Sequence, residues 1–326
     1  MNKTINLREL AEKITAADFD NILIIAHINP DPDTLGSALG LKYILNKLNK
    51  TAYIVCDSKV NARVCGYFDI SREIDSVVVE KSGFKPDHII CVDAAAPSQI
   101  GKYADIFKNN IDIVIDHHHI HSFYGKETYL DDKAAATGEI IFDLAKELDI
   151  QTDVVFAKNI YCAIVDDSGS FRYSSTTAKT MRAAAELIST GFDFAKLNRL
   201  IYQNKSMTQI AIEKLAYNSL KFYCGGKLAF ITITREMKKA GGLEGTEIDG
   251  INNITVSIEG VEAGITITEL DPGEYKVSLR SNAYVNVAEI AANFGGGGHI
   301  RAAGCTYKGD INTLERELIE IIEKVL

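Results

Sequence analysis

Residues 22–45 read ILIIAHINPDPDTLGSALGLKYIL, and the fold turns on this stretch. Residues 22–26 are an unbroken apolar run, the pattern of a strand covered on both faces. From 35 to 48 the apolar residues return at helical spacing. A strand therefore passes into a helix that begins near Thr34, through the polar link HINPDPD, whose two prolines stiffen a tight connection.

The same alternation recurs downstream, with strand-like runs at 52–56, 89–92 and 111–115 and helical patterns at 134–148, 154–164 and 178–189. Strands alternating with helices predict βαβ units and a parallel sheet buried on both faces. The second half differs. Strand-like runs at 228–234, 264–269 and 275–279 follow one another, and Asp271-Pro272-Gly273 forms a turn between two of them, which predicts an antiparallel sheet with helices. The expected class is α/β: a parallel-sheet domain over 1–190, a linker over 191–205 and a smaller α+β domain over 206–326. Gly191 would stop a helix there, and the polar Gln203, Asn204, Lys205 and Ser206 follow. A length of 326 residues, at roughly 150 residues per domain, also favours two domains.

With 44 acidic against 35 basic side chains, the net charge is −9, a field that does not favour duplex DNA. Acidic residues outnumber basic ones in 204–326 as well. Any nucleic-acid partner is expected to be short or locally held. The six cysteines, at 56, 65, 91, 162, 224 and 305, include no Cys-x-x-Cys pair and read as reduced core residues. The N-terminus alternates charged and apolar residues without a secretory core, and no apolar run approaches the roughly 20 residues that cross a bilayer. Cytoplasmic residence without a membrane partner is the expectation. The sequence leaves oligomeric state open, a homodimer included.

Chemistry gathers where apolar runs end. ILIIA runs into His27, IICV into Asp93, IVI into Asp116-His117-His118 and AIV into Asp166-Asp167. Strand C-termini of an open parallel sheet share one edge, where ligands bind in such folds. Asp31 and Asp33 extend the first of these sites. Singly, each has an ordinary reading: Asp33 beside a helix N-cap, Asp93 as a strand-end turn, the histidines as a solvated loop. Jointly they point to metal, because several carboxylates in one cleft raise each other's pKa unless cations are present. Imidazole and carboxylate without thiolate suit manganese, iron or zinc. Two ions bridged by one Asp would form a clamp for in-line phosphoryl displacement. A second signal is GGGGHIRAAG, residues 295–304, where glycines let backbone N–H groups approach an anion. A glycine run alone is more often a flexible turn. Beside a metal cleft it becomes a phosphate-gripping candidate, followed at once by His299 and Arg301.

Taken in order, HINPDPDTLGS, the Asp93 strand end, DHH at 116–118, DDSGSFRYSS from 166, VSLRS from 277 and GGGGHIRAAG from 295 resemble the DHH phosphoesterase family. Within it, they resemble the group that hydrolyses short oligoribonucleotides and 3′-phosphoadenosine 5′-phosphate. The resemblance implies a manganese-dependent hydrolase with two ions per chain. It makes His27 and Asp31 ligands of one ion, Asp33, His117 and Asp167 ligands of the other, and Asp93 the bridge. His118 would face the phosphate, and Asp116 would orient the histidines. Arg280 and Ser281, with Gly297, Gly298 and His299 of the DHH-associated domain, would hold substrate in a groove between the domains. The expected products are nucleoside 5′-monophosphates and AMP. Pro32, His121 and Asp166 depart from the usual pattern, where many relatives carry a small residue, Asn and Thr. A linear or cyclic dinucleotide phosphodiesterase is the alternative enzyme, and a nucleotide-binding regulator without turnover is the alternative of another class.

Overall fold

A computed structural model describes residues 3–243 and 250–326, and of His299 the backbone. The chain divides into two compact units, Met1–Asn204 and Lys205–Leu326. In the first, strands β1 (Lys3–Thr4), β2 (Ile22–Ile25), β3 (Ala52–Val55), β4 (His88–Val92), β5 (Ile113–Asp116) and β6 (Glu127–Leu130) form one sheet in the order β1-β6-β5-β4-β2-β3. Every pairing in it is parallel. Alternate residues of β2 enter different cores, Ile22 and Ile24 on one face and Leu23 and Ile25 on the other, so the unbroken apolar run is what a doubly covered strand requires. The chain steps outward from β2 to β3 and then returns to place β4 on the other side of β2. That reversal is the crevice where ligands bind in open α/β sheets.

Three helices cover one face: Pro32–Lys47, Thr137–Glu147 and Val154–Asp167. Asp31 caps the first, with Pro32 at its opening turn, where a missing N–H costs nothing. They pack closely because glycines stand at the crossings. A Cβ built on Gly36 would lie 2.5 Å from the Asn159 carbonyl oxygen, and one on Gly138 would lie 2.5 Å from the Ala163 Cβ. This seam draws the N-termini of two helices toward the ends of β4 and β5.

Three expectations are corrected. The AIV run before Asp166-Asp167 is the last turn of the helix Val154–Asp167, so these aspartates end a helix rather than a strand. The stretch 191–205 is not a linker. It holds the helix Phe194–Asn198 and a π-helical turn, Arg199–Gln203, with Phe192, Leu197 and Ile201 buried in the first core. Arg63 Nη2 donates to the Ile201 and Asn204 carbonyls at 2.8 and 3.1 Å and fastens the segment's end to that unit.

The third correction concerns the second unit, whose sheet is mixed rather than purely antiparallel. Strands β7 (Lys221–Tyr223), β8 (Leu228–Ile233), β9 (Ala263–Asp271), β10 (Glu274–Ser281), β11 (Gly297–His299) and β12 (Ala302–Lys308) run in the order β11-β12-β10-β9-β8-β7. The pair β8 and β9 is parallel, because the long connection between them returns the chain to the same edge. Among the described residues no helix is long and apolar enough to cross a membrane, and all six cysteines are free.

Replacing Gly36 by Ala tests the seam. Alanine gains about 1 kcal/mol of helix propensity, but the clash with a backbone carbonyl should outweigh it. A net loss of about 1 to 2 kcal/mol, read from urea titration, is expected, and a stabilised variant would contradict the packing described.

Candidate active site

The ends of β2, β4 and β5, the start of the helix Pro32–Lys47 and the end of the helix Val154–Asp167 place six side chains together. His27 follows β2, and its Nδ1 lies 2.8 Å from the Ile28 carbonyl. His117 follows β5, and its Nδ1 lies 3.2 Å from the Ala134 carbonyl. Donation from Nδ1 to a carbonyl leaves the Nε2 lone pair for a cation, the arrangement typical of metal-binding histidines. His27 Nε2 is 3.5 Å from Asp31 Oδ2 and 3.8 Å from Asp93 Oδ2. His117 Nε2 is 3.2 Å from Asp167 Oδ2, 3.7 Å from Asp33 Oδ2 and 3.8 Å from Asp93 Oδ1.

Two groupings result, His27-Asp31-Asp93 and Asp33-His117-Asp167, each with ligand atoms mutually within 4.8 Å. Nitrogen and oxygen ligands about 2.1 Å from one ion stand roughly 3 to 4 Å apart, so the spacing suits divalent cations. Asp93 presents one oxygen toward each histidine. His118 forms a third grouping with Asp93 and His117, while its Nδ1 donates to Asp116 Oδ1 at 2.7 Å. The same Asp116 oxygen accepts the His117 backbone N–H at 2.8 Å.

The carboxylates are held by groups that sequence reading overlooked. Asp93 Oδ2 accepts from Thr34 Oγ1 at 2.6 Å, and its Oδ1 accepts from Thr137 Oγ1 at 2.9 Å. Asp33 takes the opening amides of the helix Thr137–Glu147, Thr137 N at 2.7 Å and Gly138 N at 2.9 Å, with Ser37 Oγ at 3.0 Å. A carboxylate at a helix N-terminus satisfies amides that have no partner within the helix. A threonine opening an apolar helical run was the available signal, but its target lies more than 40 residues away. Past Asp167, Gly169, Ser170 and Phe171 all have positive φ, 58°, 61° and 63°. Positive φ is unstrained at the glycine but costly at Ser170 and above all at Phe171, and such strain gathers at functional sites.

Burial and mutual repulsion act on the cluster. Asp33 is pushed well above the usual carboxylate range by burial and by Asp93, Asp167 and Asp31. Asp93 is raised by burial and by Asp31. Asp167 is pushed up to about 6 by burial and by Asp93 and Asp31, against the pull of His117. Burial opposes charge on His27 and His118, yet Asp31 and Asp116 respectively outweigh it and raise each to about 9. The site without metal thus keeps protons where a cation would sit.

In the second unit, Arg280 and His299 each pair with Ala302, from β10 and β11 on either side of β12, so the three share one row of the sheet. The His299 side chain lies outside the described atoms. Arg280 Nη1 donates to the Leu279 carbonyl at 2.9 Å. Ser281 is buried and its hydroxyl donates to the Val285 carbonyl at 2.6 Å, so it sets the following loop. Gly297 and Gly298 form strand rather than open loop, opposite Gly304 and Ala303. At Gly298, with φ 144°, a Cβ would meet the Ala302 oxygen at 2.5 Å. Arg301 donates to the Ala283 and Val285 carbonyls. Buried Glu262, unnoticed in the sequence, accepts the amides of Ala283, Tyr284 and Val285 at 2.7 to 3.1 Å.

A parallel sheet with this edge is a phosphoesterase scaffold, and the sequence agrees: residues 21–164 match the DHH family, N-terminal domain, and residues 225–326 match the DHHA1 domain. The chain belongs to the DHH family. It is 32% identical to the bifunctional oligoribonuclease and PAP phosphatase NrnA of Thermus thermophilus, over 98% of this chain and 94% of that protein. The protein of the same name from Bacillus subtilis is 26% identical over 90% and 91%. In structure it is similar to an exopolyphosphatase-related protein from Bacteroides fragilis, with a TM-score of 0.89, 25% identity and coverage of 98% and 96%.

Metal binding should release protons. His27, held at about 9 without metal, is protonated at pH 7 and must be neutral to ligate. Calorimetric titration of the metal-free chain with manganese, in buffers of different ionisation enthalpy, should show about one or more protons released per chain. Affinity should climb as pH rises toward 9. Uptake without proton release would contradict the arrangement.

Proposed function

We infer that the chain is a metal-dependent phosphoesterase that hydrolyses short oligoribonucleotides to nucleoside 5′-monophosphates and 3′-phosphoadenosine 5′-phosphate to AMP. The observation that carries this reading is Asp93, which lies between two imidazole–carboxylate groupings with Oδ2 3.8 Å from His27 and Oδ1 3.8 Å from His117, in a chain related along nearly its whole length to a named oligoribonuclease and PAP phosphatase. Two manganese ions are proposed, one on His27 and Asp31, one on Asp33, His117 and Asp167, with Asp93 common to both. Bound divalent ions supply Lewis acidity, lowering the pKa of water and offsetting charge on phosphoryl oxygens.

The protein's own groups do the rest. Asp116 and the two backbone carbonyls fix the histidine rings, so no reorientation is needed when substrate arrives. His118, raised to about 9 in the metal-free site by Asp116 against the effect of burial, is held by Asp116 Oδ1 in the orientation of a general acid for the departing oxygen. Arg280 is proposed to grip a second phosphate through its planar fork, with Gly297, Gly298 and His299 beside it in the sheet. Ser281 and Glu262 hold the adjoining loop. Acidic net charge and a small phosphate grip favour a substrate of a few nucleotides over duplex DNA.

The deciding experiment is chromatography of products from 5′-labelled RNAs of roughly two to ten nucleotides with manganese, alongside 3′-phosphoadenosine 5′-phosphate and cyclic di-adenylate. Mononucleotides and AMP are expected, abolished by chelation and restored by manganese. Preferential opening of the cyclic substrate would instead mark a signalling phosphodiesterase, and binding without product a regulator.

Asp93→Asn should remain folded, since asparagine tolerates the left-handed backbone found there, φ 57°, and should lose nearly all activity. His117→Ala should lose metal as measured by elemental analysis. His118→Ala should keep it while kcat falls by about 10² to 10⁴-fold. Equal metal loss in both histidine variants would overturn the division of roles.

A further inference from the structure

The DHH turn continues as His119-Ile120-His121. His119 is exposed and meets only Asp132, at 3.1 Å. His121 differs, because its side chain is fully buried, edge-on to Phe123 with ring centroids 4.9 Å apart and stacked on Tyr124 at 5.9 Å. A buried imidazole needs a partner for each nitrogen. The Phe123 backbone N–H donates to His121 Nδ1 at 2.8 Å, which leaves the ring proton of the neutral form on Nε2. Burial keeps the ring neutral by lowering its pKa.

That Nε2 faces Asp116 Oδ2 at 3.5 Å. Among the described residues neither atom has a hydrogen-bond partner. A buried donor and a buried acceptor, each unsatisfied and each costly to leave so, therefore lie 3.5 Å apart, a gap slightly longer than a hydrogen bond. Asp116 is fully buried, and its other oxygen holds His118 Nδ1 at 2.7 Å and the His117 amide at 2.8 Å. With only Oδ1 engaged, the carboxylate can swing about its side-chain torsion and carry the His118 ring with it. Engaging Oδ2 removes that freedom.

We propose that His121 is a positioning residue for the reaction: its Nε2–H donates to Asp116 Oδ2 and locks the carboxylate that orients His118. The inference deepens the proposed function, resting on His118 as the group that faces the phosphate. It separates His121 from a side chain that merely fills space between Phe123 and Tyr124, since an apolar ring would fill that space equally well.

The test uses the full-length chain with His121→Phe, His121→Leu and His121→Asn, in the parent and in His118→Ala. With manganese and a di-adenylate substrate, the two apolar variants should lose about 10- to 100-fold in kcat, with KM and metal content unchanged. His121→Asn, whose amide can donate to Asp116, should recover most of that loss. In the His118→Ala background the apolar substitutions should cost nothing further. In spectra recorded with diamagnetic magnesium, the His118 Nδ1–H resonance should hold its hydrogen-bonded position in the parent and in His121→Asn and lose it in the apolar variants. Losses that multiply with His118→Ala, or His121→Asn as slow as His121→Leu, would overturn the assignment. Should the parent turn over none of the substrates, the proposed function falls, while the nuclear magnetic resonance comparison still decides for or against His121.

Discussion

The carboxylate of Asp93 is gripped by two threonine hydroxyls, one from the first turn of each of two helices, and the geometry of the acid–histidine cluster depends on that grip. It ties the end of β4 to the N-termini of Pro32–Lys47 and Thr137–Glu147. Those N-termini can reach Asp93 only because the helices beneath them approach to glycine contact. The threonine hydrogen bonds leave each carboxylate oxygen further lone pairs that can face a cation. The arrangement concentrates negative charge in a buried place, which is costly without cations. Burial and crowding together explain why Asp33, Asp93 and Asp167 all resist ionisation, while Asp31 and Asp116 keep protons on His27 and His118 against the effect of burial.

How much of this was legible follows from which interactions are local. His27, Asp93 and Asp116 stood out because each ends an apolar run, and a parallel sheet brings such ends to one edge. Asp167 was placed among them for the wrong local reason: AIV is apolar in a helix as in a strand, and three residues do not distinguish the two periods. Thr34 and Thr137 show in the sequence only as hydroxyls at helix starts, which are commonplace, and their shared target is set by tertiary packing. The segment 191–205 looked like a linker because its polar residues lie together, but Phe192, Leu197 and Ile201 are spaced to reach the first core.

The second unit shows the same division. Strand positions were readable, whereas the parallel pairing of β8 with β9 depends on the path of a long connection. The glycines at 297 and 298, whose ordinary reading is a flexible turn, form strand, and at Gly298 small size matters because the β12 backbone lies against it. Nothing in the sequence sets Glu262 apart from other acidic residues. Its carboxylate is the internal anion that collects the amides of residues 283–285, and no run or spacing announces a hydrogen-bond acceptor of that kind.

The left-handed backbone at Asp93 has a consequence for descent. The φ of 57° is tolerated by aspartate, asparagine and glycine alike, so the local conformation accepts replacements that cannot bridge two cations. The crowded acids gain from losing one of their number, as the raised pKa of Asp33 already implies. Asparagine would still offer the buried threonine hydroxyls a polar partner, so against that replacement folding places little guard on the chemistry at this position. Selection for turnover alone keeps the aspartate there, and a lineage released from that demand could shed its activity while keeping its shape, leaving a fold intact around a silent centre.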